Sequence, residues 1–210
     1  MASHQRGVYR SVSSDPVLQH RIDLWTAQLS ATLKPGRFEH SLSVARTAVH
    51  LAEVHGLDVL RAEQAGLLHD CAKSLPLEEM RQIAVEHALT TDETILSSRG
   101  LLHAIVGVWI AEKDYGMTDS AVLEAIRYHT TGSPGMSRLS MCVCLADSIE
   151  PLRDQYPFLD EVRKLSEISL ERALLLSLER TSEYVRSKNW VLHPQTQETI
   201  RWLKSLCKTV

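Results

Sequence analysis

The feature that most restricts this chain is its apolar periodicity, which repeats at three- and four-residue spacing from about residue 16 onward. Short stretches rich in Gly, Pro, Asp or Ser separate the periodic segments. The period-two alternation of β-branched and aromatic residues that a sheet needs is rare, and aromatics are only 5% of the chain. Asp15-Pro16 reads as an N-cap with proline at the first helical position, opening a helix that carries Val17, Ile22, Leu24, Leu29 and Leu33. Pro35-Gly36 reads as its end. A second helix is expected from near Arg37, with Leu42, Ala45, Ala48, Val49 and Ala52 on its apolar side and Gly56 as its C-cap. A third starts at Asp58 and runs through Ala62, Ala65 and Leu68 to His69. Further helices are expected at about 77–87, 91–96, 101–114, 119–129, 135–150, 158–165, 169–187 and 194–207. The pattern predicts an all-α fold, a single-domain helical bundle over 16–210 behind a flexible N-terminal tail at 1–15.

Composition narrows the class. With 210 residues, 44% of them hydrophobic, the chain can bury a sizeable core without disulfides. Its 23 basic residues against 26 acidic ones give a net charge of −3, which makes no electrostatic case for nucleic-acid binding. Cys71, Cys142, Cys144 and Cys207 form no CxxC pair and read as free thiols of a reducing compartment. Residues 1–14 hold no apolar stretch of the kind a secretory signal needs, and no run approaches the roughly 18 apolar residues of a membrane span. A cytoplasmic protein without a membrane partner is expected.

Ten histidines must then be sorted into ligands and bystanders. The sharpest element is His69-Asp70, at the end of the apolar helix in AGLLHDCAK. Burying an imidazole or a carboxylate without a partner is costly, and a metal ion removes that cost by taking both as ligands. His40 and Asp147 complete a four-residue set with them. Nitrogen and oxygen donors without thiolate suit iron, manganese, cobalt or zinc, and disfavour a structural zinc. His103 and His129 offer a second ion a place, with Asp70 as the bridge. His4, His20, His50, His55, His87 and His193 read as core or surface positions. Trp109, Trp190 and Trp202 read as packing, and the stripe Leu170, Leu174, Leu175, Leu176 and Leu178 serves either the core or a homodimer contact.

The set His40…His69-Asp70…Asp147 resembles the HD superfamily of metal-dependent phosphohydrolases. RFEHSLSVARTAVHLAEVHGLD, AEQAGLLHDCAKSLP, LLHAIVGVWIAEKDYGM, AIRYHTTGSPGMSRL and LADSIEPLR are similar to its bacterial branch of symmetrically cleaving diadenosine tetraphosphate (Ap4A) hydrolases. The similarity spans about 37–196. It implies a helical HD domain, a di-iron centre and hydrolysis of Ap4A at the central phosphoanhydride to give two ADP. Carried over position by position, it implies His40, His69, Asp70 and Asp147 as ligands, with His103 and His129 serving the second metal or the phosphates.

Supporting cations are expected around these ligands. Lys73, three residues after Asp70, is the first candidate phosphate contact, with Arg127 beside His129 and Arg37 beside His40 as others. Asp70, Lys73 and Arg127 are thus the candidate catalytic residues. The substrate-binding candidates are Arg37, His40, Lys73, His103, Arg127, His129 and the turn Thr130-Thr131-Gly132, whose hydroxyl and N–H groups suit phosphate. Glu150-Pro151 reads as a helix end. Two competing readings share the same core: a phosphohydrolase acting on another nucleotide, and a domain that binds a nucleotide without turning it over.

Overall fold

A computed structural model describes residues 9–153, 158–189 and 192–208. Among these residues there is no strand, and eleven helices follow in order. They are α1 (Pro16–Thr32), α2 (Pro35–His55), α3 (Val59–Leu68), α4 (Leu77–Glu86), α5 (Glu93–Leu96), α6 (Arg99–Lys113), α7 (Ser120–Tyr128), α8 (Arg138–Ile149), α9 (Leu159–Ser166), α10 (Leu170–Ser187) and α11 (Pro194–Lys208). The all-α expectation holds. Side-chain caps fix several starts: Asp15 accepts from the Val17 N–H, Asp58 from Leu60 and Arg61, Asp92 from Thr94 and Ile95, and Asp119 from Ala121 and Val122. Most boundaries fall within a few residues of the sequence reading, but the one between α1 and α2 differs in kind. Pro35-Gly36 does not close α1; Pro35 opens α2, because a proline at the first helical turn has no N–H to leave unpaired.

α2 lies at the centre, packed against α3 and α8. α7 bridges α3, α6 and α8, and α10 covers α8 with α9 and α11 outside it. Small residues let α2 and α3 approach closely: Ala45, Ala48, Ala52, Ala62 and Ala65 are fully buried. The tightest point is Gly66, where an added Cβ would lie 2.8 Å from the Ala45 Cα. Of the leucine stripe of α10, Leu170 and Leu174 are fully buried and Leu178 nearly so, while Leu175 and Leu176 are partly buried against the core. Cys71, Cys142 and Cys144 are buried free thiols. Trp109 and Trp202 pack against the core, whereas Trp190 lies outside the described residues.

The segment before α1 is of interest because the sequence reading places it in a tail. Residues 1–8 lie outside the described residues. From Tyr9 the chain lies against α3, where the Glu63 carboxylate is 1% exposed. Glu63 accepts from the Tyr9 hydroxyl at 3.1 Å, the Ser11 hydroxyl at 2.6 Å and the Val12 N–H at 3.1 Å. Burial and the neighbouring Glu63 carboxylate both push the Tyr9 phenol pKa up, so it stays a donor. Among the described residues no helix is long and apolar enough to cross a membrane.

Candidate metal centre

Helix ends and helix interiors converge on one buried point. His69 and Asp70 follow the last turn of α3, and His129 follows the last turn of α7. His40 comes from α2, His103 from α6 and Asp147 from the last turn of α8. His69 and His103 are fully buried, and Asp70, His129 and His40 nearly so. The six ligand candidates expected from the sequence are thus neighbours. Asp70 occupies the middle: its Oδ2 lies 3.5 Å from His69 Nε2 and 3.8 Å from His40 Nε2, and its Oδ1 lies 3.0 Å from His103 Nε2 and 3.7 Å from His129 Nε2. Asp147 Oδ1 lies 2.9 Å from His40 Nε2 and 3.7 Å from His69 Nε2.

The proton positions follow from what the outer ring nitrogens touch. His69 Nδ1 is 2.7 Å from the Gly66 carbonyl, His129 Nδ1 is 2.7 Å from the Ile126 carbonyl, and His103 Nδ1 is 3.2 Å from the Arg99 carbonyl. A carbonyl only accepts, so each of these Nδ1 atoms carries the hydrogen and donates it. His40 Nδ1 likewise donates to Glu150 Oε1 at 2.9 Å. In the neutral form, all four rings then present an Nε2 lone pair to the interior. His103 Nε2 and His129 Nε2 face one another at 3.0 Å. Nε2 of His40, Nε2 of His69 and Oδ1 of Asp70 are buried without a hydrogen bond. A cluster of acceptors at this spacing repels itself unless a cation sits among them. His40, His69 and Asp147 form one group whose ligand atoms lie within 4.8 Å of one another, and His69, Asp70 and His129 form another. These donors fit a divalent metal.

The charges agree. Burial alone pushes the Asp70 carboxyl up, but the imidazoles of His69, His103 and His129 outweigh it and hold the group well below the usual carboxylate range. For Asp147, burial is likewise outweighed by His40, Arg153 and His69. Burial brings His103 down to about 4, so it is neutral at pH 7. Burial also lowers the Lys73 ammonium, against the pull of Asp70 and Asp147.

Of the candidate cations, two reach the cluster. Arg37 donates to Asp70 Oδ2 at 2.8 Å, and Lys73 Nζ lies 3.0 Å from His103 Nε2 and 3.5 Å from Asp70 Oδ1. Both remain partly exposed, so they mark the open side. Arg99 fixes the turn that carries Lys73 by donating to the Lys73 and Leu75 carbonyls. Arg127 is not among the cluster's contacts; it lines a neighbouring cavity of about 130 Å³ with Thr130, Thr131 and Ser133. The Thr131 hydroxyl donates to the Gly132 carbonyl, and the Thr131 carbonyl accepts from Thr199 on α11. Gly132 sits at φ +63°, where a Cβ would meet Thr199 Cγ2 at 2.5 Å, so only glycine allows this stitch. Thr131 and Gly132 therefore hold the turn after His129, and Thr130 is the member of the trio that also lines the cleft beside Asp147.

Two functional neighbours are not evident in the sequence reading. Glu150, 1% exposed, orients His40, and its other oxygen accepts from the Leu152 N–H at 2.7 Å. Arg153 donates to Asp147 Oδ1 at 2.8 Å. Arg163 on α9 supports this corner by donating to the Ile149 and Glu150 carbonyls. A carboxylate hydrogen-bonded to the outer nitrogen of a ligand histidine is a recurrent metal-site device, because it fixes the tautomer and raises ligand basicity.

An all-helical bundle that gathers four histidines and two aspartates from five helices is the architecture of a metal-dependent phosphohydrolase domain. Residues 37–152 match the model of the HD domain family, and the chain belongs to that family. It is 41% identical over 169 residues to the symmetrical bis(5'-nucleosyl)-tetraphosphatase of Bacillus subtilis (strain 168), covering 80% of this chain and 90% of that one. A protein of the same description from Halalkalibacterium halodurans is 37% identical over 167 residues, covering 80% and 88%. A crystal structure from Clostridium acetobutylicum, described as a predicted HD superfamily hydrolase involved in NAD metabolism, superimposes with a TM-score of 0.84 at 39% identity, covering 88% of this chain and 97% of that one.

Proposed function

We propose that this protein is a metal-dependent symmetrical Ap4A hydrolase, which adds water across the central phosphoanhydride to give two ADP. The observation that carries the reading is the buried ring of four inward Nε2 atoms and two depressed carboxylates, joined to the names of the relatives. His40, His69, Asp70 and Asp147 would hold the metal, with His103 and His129 beside Asp70 for a second ion. Iron is the metal this reading favours, with manganese, cobalt or zinc as substitutes. When bound, the metal supplies Lewis acidity that makes water nucleophilic near neutral pH.

The chain's own residues do the rest. Arg37 and Lys73, on the open side, bind non-bridging oxygens of the central phosphates and offset charge that grows as the P–O bond breaks. His103 and His129 keep their Nδ1 hydrogens on backbone carbonyls, so in the neutral rings the Nε2 atoms accept rather than donate. Glu150 keeps the proton of His40 on Nδ1. Thr130 and Arg127 contact the phosphates that lead away from the centre. The oxygen of water ends on one central phosphorus, and the bridging oxygen leaves with the other ADP. The substrate in this reading is a free nucleotide of the cytoplasm, with neither nucleic acid nor membrane as partner.

The test is product analysis with iron-loaded protein under reducing conditions. ADP as sole product is expected. AMP plus ATP would place attack at an outer phosphate and refute symmetric cleavage, and no product with metal bound would refute the substrate.

A further inference from the structure

Beside the metal centre, between α8 and α10, lies a cleft of about 190 Å³. On the side of the metal centre it is lined by His129, Asp147 and Arg153. Phe158, Leu178 and Thr181 also line it. Ser177 lines it too, on the same face of α10 as Thr181 one turn later. Ser177 is 1% exposed, and its Oγ has no hydrogen-bond partner. A buried hydroxyl without a partner is uncommon in a folded protein and calls for a reason. Arg153 repeats the pattern: one nitrogen donates to Asp147, but its buried Nε has no hydrogen bond. The cleft therefore combines a cation and metal-ligand candidates, an unpaired hydroxyl, an aromatic and a leucine.

That combination of chemistries matches one kind of molecule. Phosphate suits Arg153 beside the metal centre, a flat ring with apolar faces suits Phe158 and Leu178, and a polar edge or sugar hydroxyl suits Ser177. We propose that this cleft binds one nucleoside arm of the substrate, with Ser177 as the residue that reads its polar edge and Arg153 as the contact to the phosphate nearest that arm. The proposal rests on the Ap4A reading for its substrate but not for its site, since any nucleoside diphosphate carries the same three parts. Ser177 binds and positions; it performs no bond-breaking step.

The test uses the metal-loaded full chain and ADP as the probe. Ser177→Ala removes the hydroxyl without adding bulk, and Ser177→Leu fills the space. ADP is expected to bind Ser177→Ala several-fold more weakly and Ser177→Leu at least about tenfold more weakly, in line with one lost hydrogen bond and then a blocked pocket. In turnover of Ap4A, KM should rise more than kcat falls, a split that a purely structural serine would not give. Metal affinity and unfolding midpoint are expected to match the parent in Ser177→Ala. Unchanged ADP affinity in both variants, or no ADP binding by the parent, would overturn the subsite. If the parent fails to hydrolyse Ap4A while ADP binding still depends on Ser177, the subsite stands and the substrate assignment falls.

Discussion

Gly66→Ala tests whether the spacing of α2 and α3 governs the metal centre. The new Cβ would lie 2.8 Å from the Ala45 Cα and 3.1 Å from the Ala45 nitrogen. Carbon atoms in contact settle at about 3.5–4.0 Å, so α3 must retreat from α2 by about 0.7–1.2 Å. Both neighbours are backbone, so no side chain can rotate away. Overpacking of this kind costs about 1–3 kcal/mol. Alanine in place of glycine in a helix interior returns about 1 kcal/mol, leaving a net loss of about 0–2 kcal/mol. The effect on the site is larger. His69 Nδ1 donates to the Gly66 carbonyl, so the imidazole moves with α3, while His40 stays on α2. Metal–ligand distances tolerate only about ±0.2 Å, and a misplacement of about 1 Å in a reacting group costs on the order of 10²-fold. The expected result is a small shift in urea midpoint, weaker metal binding by calorimetric titration and a loss of Ap4A turnover near that scale. Metal affinity and turnover indistinguishable from the parent would refute the argument that helix spacing sets ligand geometry.

Three further outcomes are expected. Glu150→Gln removes the charge behind His40 and should weaken metal binding by about 10–100-fold with the fold intact; equal affinity would show that the Glu150–His40 contact does not tune the ligand. In metal-free protein, His103 is held at about 4 while the unfolded chain titrates near 6.5, so the unfolded state takes up the proton first as pH falls. Stability should therefore drop by up to about 3 kcal/mol between pH 6.5 and pH 4, and then further as Asp70 and Asp147 protonate below the ordinary carboxylate range. Urea midpoints at pH 7, 5 and 4 read this, and a His103→Asn variant with the same pH slope as the parent would contradict it. Tyr9→Phe withdraws one of three donors from buried Glu63 and should cost about 1.5–3 kcal/mol in chemical unfolding; an unchanged midpoint would mean the segment before α1 adds nothing to the bundle.

The helices were legible because their starts are written in single residues. Asp15, Asp58, Asp92 and Asp119 each precede an apolar repeat and each caps a helix. Pro35 misled because proline stops a helix from behind and starts one from in front, and sequence alone shows both. His69-Asp70 was visible as a polar pair closing an apolar helix. Glu150 was not, since Glu-Pro reads as a stop, and its partner His40 lies 110 residues upstream. Local spacing carries no trace of such a pair. Tyr9 was hidden for the same reason, because its partner Glu63 lies on a later helix and nothing near Tyr9 announces it.

The wide spacing of the ligands also sets an order of events during synthesis. His40 and the His69-Asp70 pair leave the ribosome early, whereas Glu150 follows His40 by 110 residues. At about 5–20 residues per second, that interval is roughly 5–20 s. Throughout it the nascent chain offers His40 neither Asp147 nor Glu150, and Asp70 acquires His103 and then His129 only as α6 and α7 emerge. An ion that meets the chain in this period finds an incomplete set of donors and is held weakly. The full set of donors is therefore assembled only after α8 and the Glu150 turn have been made.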